Sequence, residues 1–415
     1  MSAIDRAESS SEGGRGFRIG PGLLITAAFI GPGTVVTASK AGAERGLGLL
    51  WAIVFACFGT IVLQSLAARL GIIGRKGLGE SIRDTLAQSP LLKPAIALVI
   101  SAIGIGNTAY QTGNLTGAAI GVHACVGGSP ETWLAIIVIC TCVILLVGRY
   151  RVLHAVLVGL VAILSVSFLC TAALSLPSVS GNAWATAIPR LSSQDLTLTL
   201  ALIGTTIVPY NLFLHASSAA ETWKNRPISE SVIQSDWDTT GSVCLGGLIT
   251  ASILVTASTA FFDTQAQLKS VDDISLQLKP TLGEASAIAF AIGLFAAGLT
   301  SSITAPMATA YAVCGCLGWS VDPSSTRFRS IAIGVVAIGG SVALGFGKSP
   351  SATIVFAQLT NGLLLPIVAL FLLVATSPRR DSRTTSLDRL RVHSARLVVV
   401  AVALLGLWRI AVLFH

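Results

Sequence analysis

Two short runs, Gly31-Pro32-Gly33-Thr34 and Val208-Pro209-Tyr210-Asn211, each put a proline in the middle of an otherwise apolar stretch. Proline removes a backbone donor, and glycine permits non-helical torsions. In lipid, backbone unwinds in mid-helix only where it lines a cavity or is buried in protein. Each break then offers bare N–H groups and carbonyls, and the start of the second half-helix favours anions. A lone proline in a spanning helix is ordinarily just a kink. Two breaks at similar depth, in the first and sixth of ten spans, form the pattern of a five-plus-five inverted repeat with its site between the broken helices.

The elements that must position these breaks are membrane spans. The chain has 415 residues, 53% hydrophobic and only 11% charged, with a mean hydropathy of +0.79. Soluble domains carry roughly 25% charged residues. Charges are costly in hydrocarbon, so lipid is the solvent that explains their scarcity. A soluble enzyme, a disordered protein, a fibre and a disulfide scaffold are excluded. Eleven stretches are candidates for spans: Pro21–Ala43, Leu47–Ile73, Pro94–Ala124, Thr132–Val147, Val152–Leu176, Leu196–Ser218, Gly241–Phe262, Ala285–Leu317, Ser330–Leu344, Pro350–Ala375 and Leu397–Phe414. The chain divides into a disordered tail (1–19), a ten-helix core (20–376, with repeats 20–176 and 196–376), a basic loop (377–396) and an eleventh helix (397–415). The tail has no apolar core and so is not a signal peptide.

The net charge of +8 reads as topology. With the N-terminus in the cytoplasm, the inside segments hold 19 Lys and Arg and the outside segments 5. That bias fits the positive-inside rule and places the C-terminus outside. It leaves no argument for nucleic acid. The expected location is a bacterial-type plasma (inner) membrane. The eight cysteines, including Cys140/Cys142 and Cys314/Cys316, fit no zinc template and read as small buried hydrophobes. No cofactor is implied. The chain has no Walker A lysine motif, nucleophile elbow or H-E-x-x-H, so it reads as a transporter and not an enzyme or an ATP-driven pump.

Several runs together make the chain resemble the natural resistance-associated macrophage protein (Nramp) family. They are Gly20-Pro21-Gly22, the first x-Pro-Gly-x break, Ala41-Gly42-Ala43-Glu44, Leu49-Leu50-Trp51, Gln64-Ser65-Leu66-Ala67-Ala68-Arg69-Leu70-Gly71 and Pro209-Tyr210-Asn211-Leu212-Phe213-Leu214-His215. The resemblance runs from about Gly20 to Ala375. It implies an all-α, LeuT-type fold and proton-coupled uptake of divalent transition metals.

The departures from the family pattern fall on the site itself. The family's Asp-Pro-Gly-Asn becomes Gly31-Pro32-Gly33-Thr34, and its Met-Pro-His-Asn becomes Val208-Pro209-Tyr210-Asn211. Neither a carboxylate nor a sulfur remains at those positions, which predicts a poor Mn²⁺ or Mg²⁺ site. The remaining oxygens are backbone carbonyls, Thr34, Asn211 and Gln358. In the third span, Gln111 and Asn114 stand where the family carries acids, and amides cannot shuttle protons. His215 matches the family's second histidine of the sixth span.

The first expectation is therefore an ion-coupled secondary transporter of a small organic solute, such as an amino acid or related carboxylate. The carboxylate would rest on the helix start near Gly33 and Thr34. Gly31 would leave room, and Asn107, Gln111, Asn114, Tyr210, Asn211 and Gln358 would hydrogen-bond the rest. For Asn107 an interhelical bond is at least as good a reading. The coupling ion is H⁺, through His215, or Na⁺, at Thr300, Ser301 and Ser302, although membrane hydroxyls more often bond back to their own helix. The alternative is a divalent metal (Mn or Mg) transporter with unusual ligands. A channel and a non-transporting sensor fit the paired breaks less well. Glu44 is expected to cap or pair with Arg45. Glu80, Asp84, Arg75, Lys76 and Arg83 are expected to form a solvated cluster.

Overall fold

The computed structural model describes residues 30–148, 151–188, 192–264, 268, 271–346, 350–376 and 386–413. Apolar residues lie on all sides of the membrane-spanning stretches, so these sort by burial and not by an amphipathic stripe. Among the described residues, ten helical stretches are long and apolar enough to cross a membrane. The first expected span is described only from residue 30. The tail 1–19 and residues 377–385 of the basic loop lie outside the described residues.

The helices run further than the apolar stretches. The third is Leu92–Val126, the seventh Ile228–Phe261, and the last Ser386–Leu413, which begins inside the expected basic loop. Hydropathy marks only the part of a helix that lipid surrounds, and polar turns continue beyond it. The eighth span, Ser286–Leu317, carries Pro306 and stays one helix. The sixth does not: it is split into Leu196–Thr206 and Pro209–Thr222. The sixth span is central, with 94% of its apolar window buried. The fourth, Pro130–Val147, is peripheral at 22%.

The packing repeats when the halves of the chain are exchanged. The first span packs on the seventh, and the second half of the sixth packs on the second. The third packs on the tenth, and the eighth on the fifth. The matched pairs even share a device. A Cβ on Gly42 would stand 2.2 Å from the Leu254 carbonyl oxygen, and one on Gly71 would stand 2.1 Å from that of Ala216. Small residues let these backbones touch, which is how helices associate without a hydrophobic drive in lipid.

Several local expectations are corrected. Cys314 and Cys316 are buried, but Cys125, Cys140, Cys170 and Cys244 are exposed on outer helix faces. Such faces meet lipid, where a thiol needs no burial in protein. Arg45 pairs with Asp195 (2.6 Å), not with Glu44, because it ends its helix beside the start of the sixth span. The charges at 75–84 are solvated as expected, with Arg75, Lys76, Arg83 and Asp84 exposed, and they also hold a corner together. Glu80 accepts from the Gly77 N–H at 2.8 Å and caps the helix Leu78–Leu86. Lys76 pairs with Asp84, Arg83 donates to the Cys316 carbonyl, and Arg75 donates to the Trp223 and Arg226 carbonyls. Orphan carbonyls at helix ends attract these cations.

Candidate functional site

Both breaks are present, and they share one construction. Gly31 caps the helix Pro32–Arg45 and Val208 caps Pro209–Thr222. Proline stands at the first helical position each time, where its missing N–H costs nothing. Neither cap residue offers a side-chain acceptor. Over these turns Val35 N–H donates to the Gly31 carbonyl (3.2 Å) and Asn211 N–H to that of Val208 (3.1 Å). The N–H groups of Gly33, Thr34 and Tyr210 have no acceptor inside their own helix.

The surroundings of the first break come from four other spans. A Cβ on Gly31 would meet Ser301 Oγ at 3.0 Å, the Tyr110 hydroxyl at 3.4 Å and Asn114 Oδ1 at 3.7 Å. A Cβ on Gly33 would stand 2.0 Å from Gln358 Nε2, so glycine is what lets the Gln358 side chain lie across the backbone. Thr34 Oγ1 bonds Thr205 Oγ1 at 2.7 Å and ties the first span to the first half of the sixth. At the second break, Tyr210 packs its ring on Tyr110 with centroids 5.3 Å apart and planes inclined at 59°. Gly31, Gly33, Thr34, Val208, Tyr210, Asn211, Gln358, Gln111 and Asn114 are all buried.

Buried polar groups are normally paired, so pairing sorts the candidates. Asn107 donates from Nδ2 to Thr309 Oγ1 (2.5 Å) and the Ala305 carbonyl (3.2 Å), which leaves it an interhelical tie. Gln111 donates from Nε2 to the Ser302 carbonyl at 3.1 Å, while its Oε1 has no partner. Thr300 bonds back to the Ala296 carbonyl, the ordinary habit of membrane hydroxyls. Ser302 Oγ has no partner among the described residues. His215 is bonded through Nδ1 to Gln64 Oε1 at 2.7 Å. Asn114, Asn211 and Gln358 stand apart, with neither the nitrogen nor the oxygen partnered among the described residues. The same holds for Asn361, one turn beyond Gln358 and buried to 1% exposure.

Sequence reasoning passed over Asn361, Tyr110, Thr205 and Gln64. Two of these had a legible signal. Asn361 follows Gln358 by three residues, hence on the same helix face, and Tyr110 precedes Asn114 by four. Among the described residues no group of three or more His, Cys, Asp or Glu could hold a metal. A cavity of about 370 Å³ lies away from the breaks, at the far end of the first span, between Glu44, Arg45, Thr186, Asp195 and Phe262. On the same half of the first span, buried Gln277 donates to Ser39 Oγ and accepts from Thr256 Oγ1.

The sequence pattern of the family described as "Natural resistance-associated macrophage protein-like" matches residues 22–412. The divalent metal cation transporter MntH of Acidiphilium cryptum (strain JF-5) is 27% identical over 361 residues, 85% of this chain and 81% of that protein. The crystal structure of a manganese transporter from Eremococcus coleocola superposes with a TM-score of 0.72 at 22% identity. It covers 96% of this chain and 88% of that one. MhsT, solved with L-phenylalanine, superposes at 0.64 and 15% identity over 96% of this chain and 100% of its own. At these identities the structures establish the shared all-helical fold of LeuT-type transporters.

Proposed function

The chain belongs to the natural resistance-associated macrophage protein family, and from that premise we propose that it is a secondary transporter whose cargo is a hard divalent cation held by neutral oxygens. The observation that carries this reading is the set of buried, unpartnered carboxamide oxygens of Gln111, Asn114, Asn211 and Gln358 around two unwound helix junctions. Carboxamide and backbone carbonyl oxygens are the ligands that Mg²⁺, Mn²⁺ and Ca²⁺ accept, and Mg²⁺ keeps several of its own waters. The thioether that would favour softer metals is replaced by Val208. Relatives named as divalent metal and manganese transporters support the cation over the organic solute expected first.

The charge balance gives the cargo its character. Without a carboxylate at positions 31 and 34, the dehydration of a divalent ion is poorly offset. The reading therefore implies weak binding of a partly hydrated ion. His215, bonded to Gln64, lies on the half-helix that starts at the second break, and it is the candidate coupling group. The orientation, with the N-terminus cytoplasmic, rests on the distribution of Lys and Arg.

The organic solute is the second reading, favoured by the two helix starts that no side chain caps. Proteoliposome uptake separates them. Saturable Mn²⁺ or Mg²⁺ uptake, stimulated by a pH gradient and weakened about tenfold by Asn211→Ala, is the expected result. Uptake of an amino acid or organic acid from a panel, with no flux of either metal, overturns the cation reading.

A further inference from the structure

The last helix, Ser386–Leu413, has two unlike faces. One carries Arg391, Ala395, Val398 and Val402, whose spacing lines them up along the helix. The three apolar residues are at most 2% exposed. Arg391 bonds Asp236 Oδ2 of the seventh span at 2.9 Å, and Arg69 of the second span bonds the same oxygen at 2.9 Å. These contacts fix which way the helix faces.

The opposite face presents Arg389, His393, Arg396, Val400, Leu404 and Leu407, again three or four residues apart, and every one is exposed. Among the described residues, none of the three basic side chains forms an ion pair. The chain around them is strongly basic: residues 379–396 hold six arginines against two aspartates. At 1.5 Å per residue, Arg396 to Leu407 spans about 16 Å, one leaflet's share of a hydrocarbon core about 30 Å thick. Arg389 to Arg396 rises about 10 Å, enough to cross the headgroup zone. Basic groups at headgroup depth therefore stand directly over an apolar strip one leaflet long.

That combination suits an amphiphile with an anionic head. A phosphate diester accepts charge-assisted hydrogen bonds from guanidinium groups. A zwitterionic headgroup would bring its own ammonium among the arginines, so a net negative lipid fits better. A second copy of the chain fits worse, because a two-fold contact through this face would set its arginines against each other. A soluble acidic partner could not follow the face below Arg396 into the bilayer.

We propose that this face binds one anionic phospholipid, with its phosphate on Arg389, His393 and Arg396 and an acyl chain along Val400, Leu404 and Leu407. The bound lipid steadies the start of the last helix. Through the shared Asp236 it also bears on the second and seventh spans. The inference does not depend on which solute is carried.

Native mass spectrometry of the purified full-length chain, titrated in neutral detergent with phosphatidylglycerol or phosphatidylcholine, tests it. Phosphatidylglycerol is expected to bind about tenfold tighter or more. Replacing two arginines, Arg389→Gln with Arg396→Gln, should weaken it about thirtyfold. A control pair of exposed lysines at the start of the third span and the end of the sixth, Lys93→Gln with Lys224→Gln, should change it less than about threefold. Inorganic phosphate at equal ionic strength should leave the thermal unfolding midpoint in place, whereas phosphatidylglycerol should raise it. Equal affinity for the two lipids overturns the inference. So does equal weakening by both pairs of substitutions, which would mark a general attraction of charges. A midpoint raised as far by phosphate alone overturns it too, since the apolar strip would then play no part. A lipid-free dimer in the same spectra that Leu404→Arg dissolves would assign the face to a second copy and overturn it as well.

Discussion

The two breaks are built alike and furnished differently. Each is a proline at the first position of a 14-residue half-helix with no side-chain cap. At the first, glycines bare the backbone, and the ends of Ser301, Asn114 and Gln358 reach it from other spans. At the second, bulky Val208 and Tyr210 fill the junction, and Tyr210 leans on Tyr110. The first break bares its main chain, and the second is filled by side chains packed on one another. The same backbone device thus makes a cradle where the sequence is small and a buttress where it is large.

The sharpest way to break this contrast is to remove the wall. Tyr210→Ala should destabilise the protein by about 3–5 kcal/mol, as other buried aromatic truncations do. Thermal unfolding in detergent would register it, and an unchanged midpoint would mean that the ring pair is not a buttress. Next in size, Gly33→Ala puts a Cβ 2.0 Å from Gln358 Nε2 and must displace that side chain. Uptake should fall about 100-fold, as misplacement of a ligand group by an ångström does. Combining Gly33→Ala with Gln358→Ala should restore stability without restoring uptake.

A pair of amides sharpens the comparison further. Asn107→Ala removes two hydrogen bonds in a buried interhelical tie and should cost about 1–3 kcal/mol of stability, with cation affinity kept. Asn211→Ala should do the reverse, weakening affinity about tenfold with little change in stability, since Asn211 has no partner to lose. Equal behaviour of the two would sink the sorting of site from scaffold by pairing. Smallest of all, Thr205→Val deletes one 2.7 Å bond to Thr34 and should cost about 1 kcal/mol. Read by thermal unfolding, it measures how firmly the cradle is tied to the sixth span.

The correspondence between sequence and structure was uneven for physical reasons. Apolar runs marked the spans, since lipid tolerates little else. Helix ends such as Ser386 were missed, because a helix outlasts its apolar part. Proline at 32 and 209 marked the breaks, yet Pro306 inside an intact helix shows that proline alone does not decide. Gln358 and Asn114 were legible as amides in apolar helices. That Asn107 is a tie and Asn114 a free amide was not legible, since both are asparagines on the third span. The difference lies in Thr309, which faces one of them from the eighth span.

By itself the sequence determined the solvent, the all-helical class, the paired breaks and the loss of acid and sulfur from them. These are properties of residue type along one strand of chain, and lipid enforces them position by position. Only the tertiary structure decided which polar groups are spent on each other and which, among the described residues, are left without a partner. Hydrogen-bond satisfaction is set by neighbours far apart in sequence, such as Thr34 with Thr205 and His215 with Gln64. The helix start at Gly31 could be read from its proline; the polar side chains from other spans that crowd it could not.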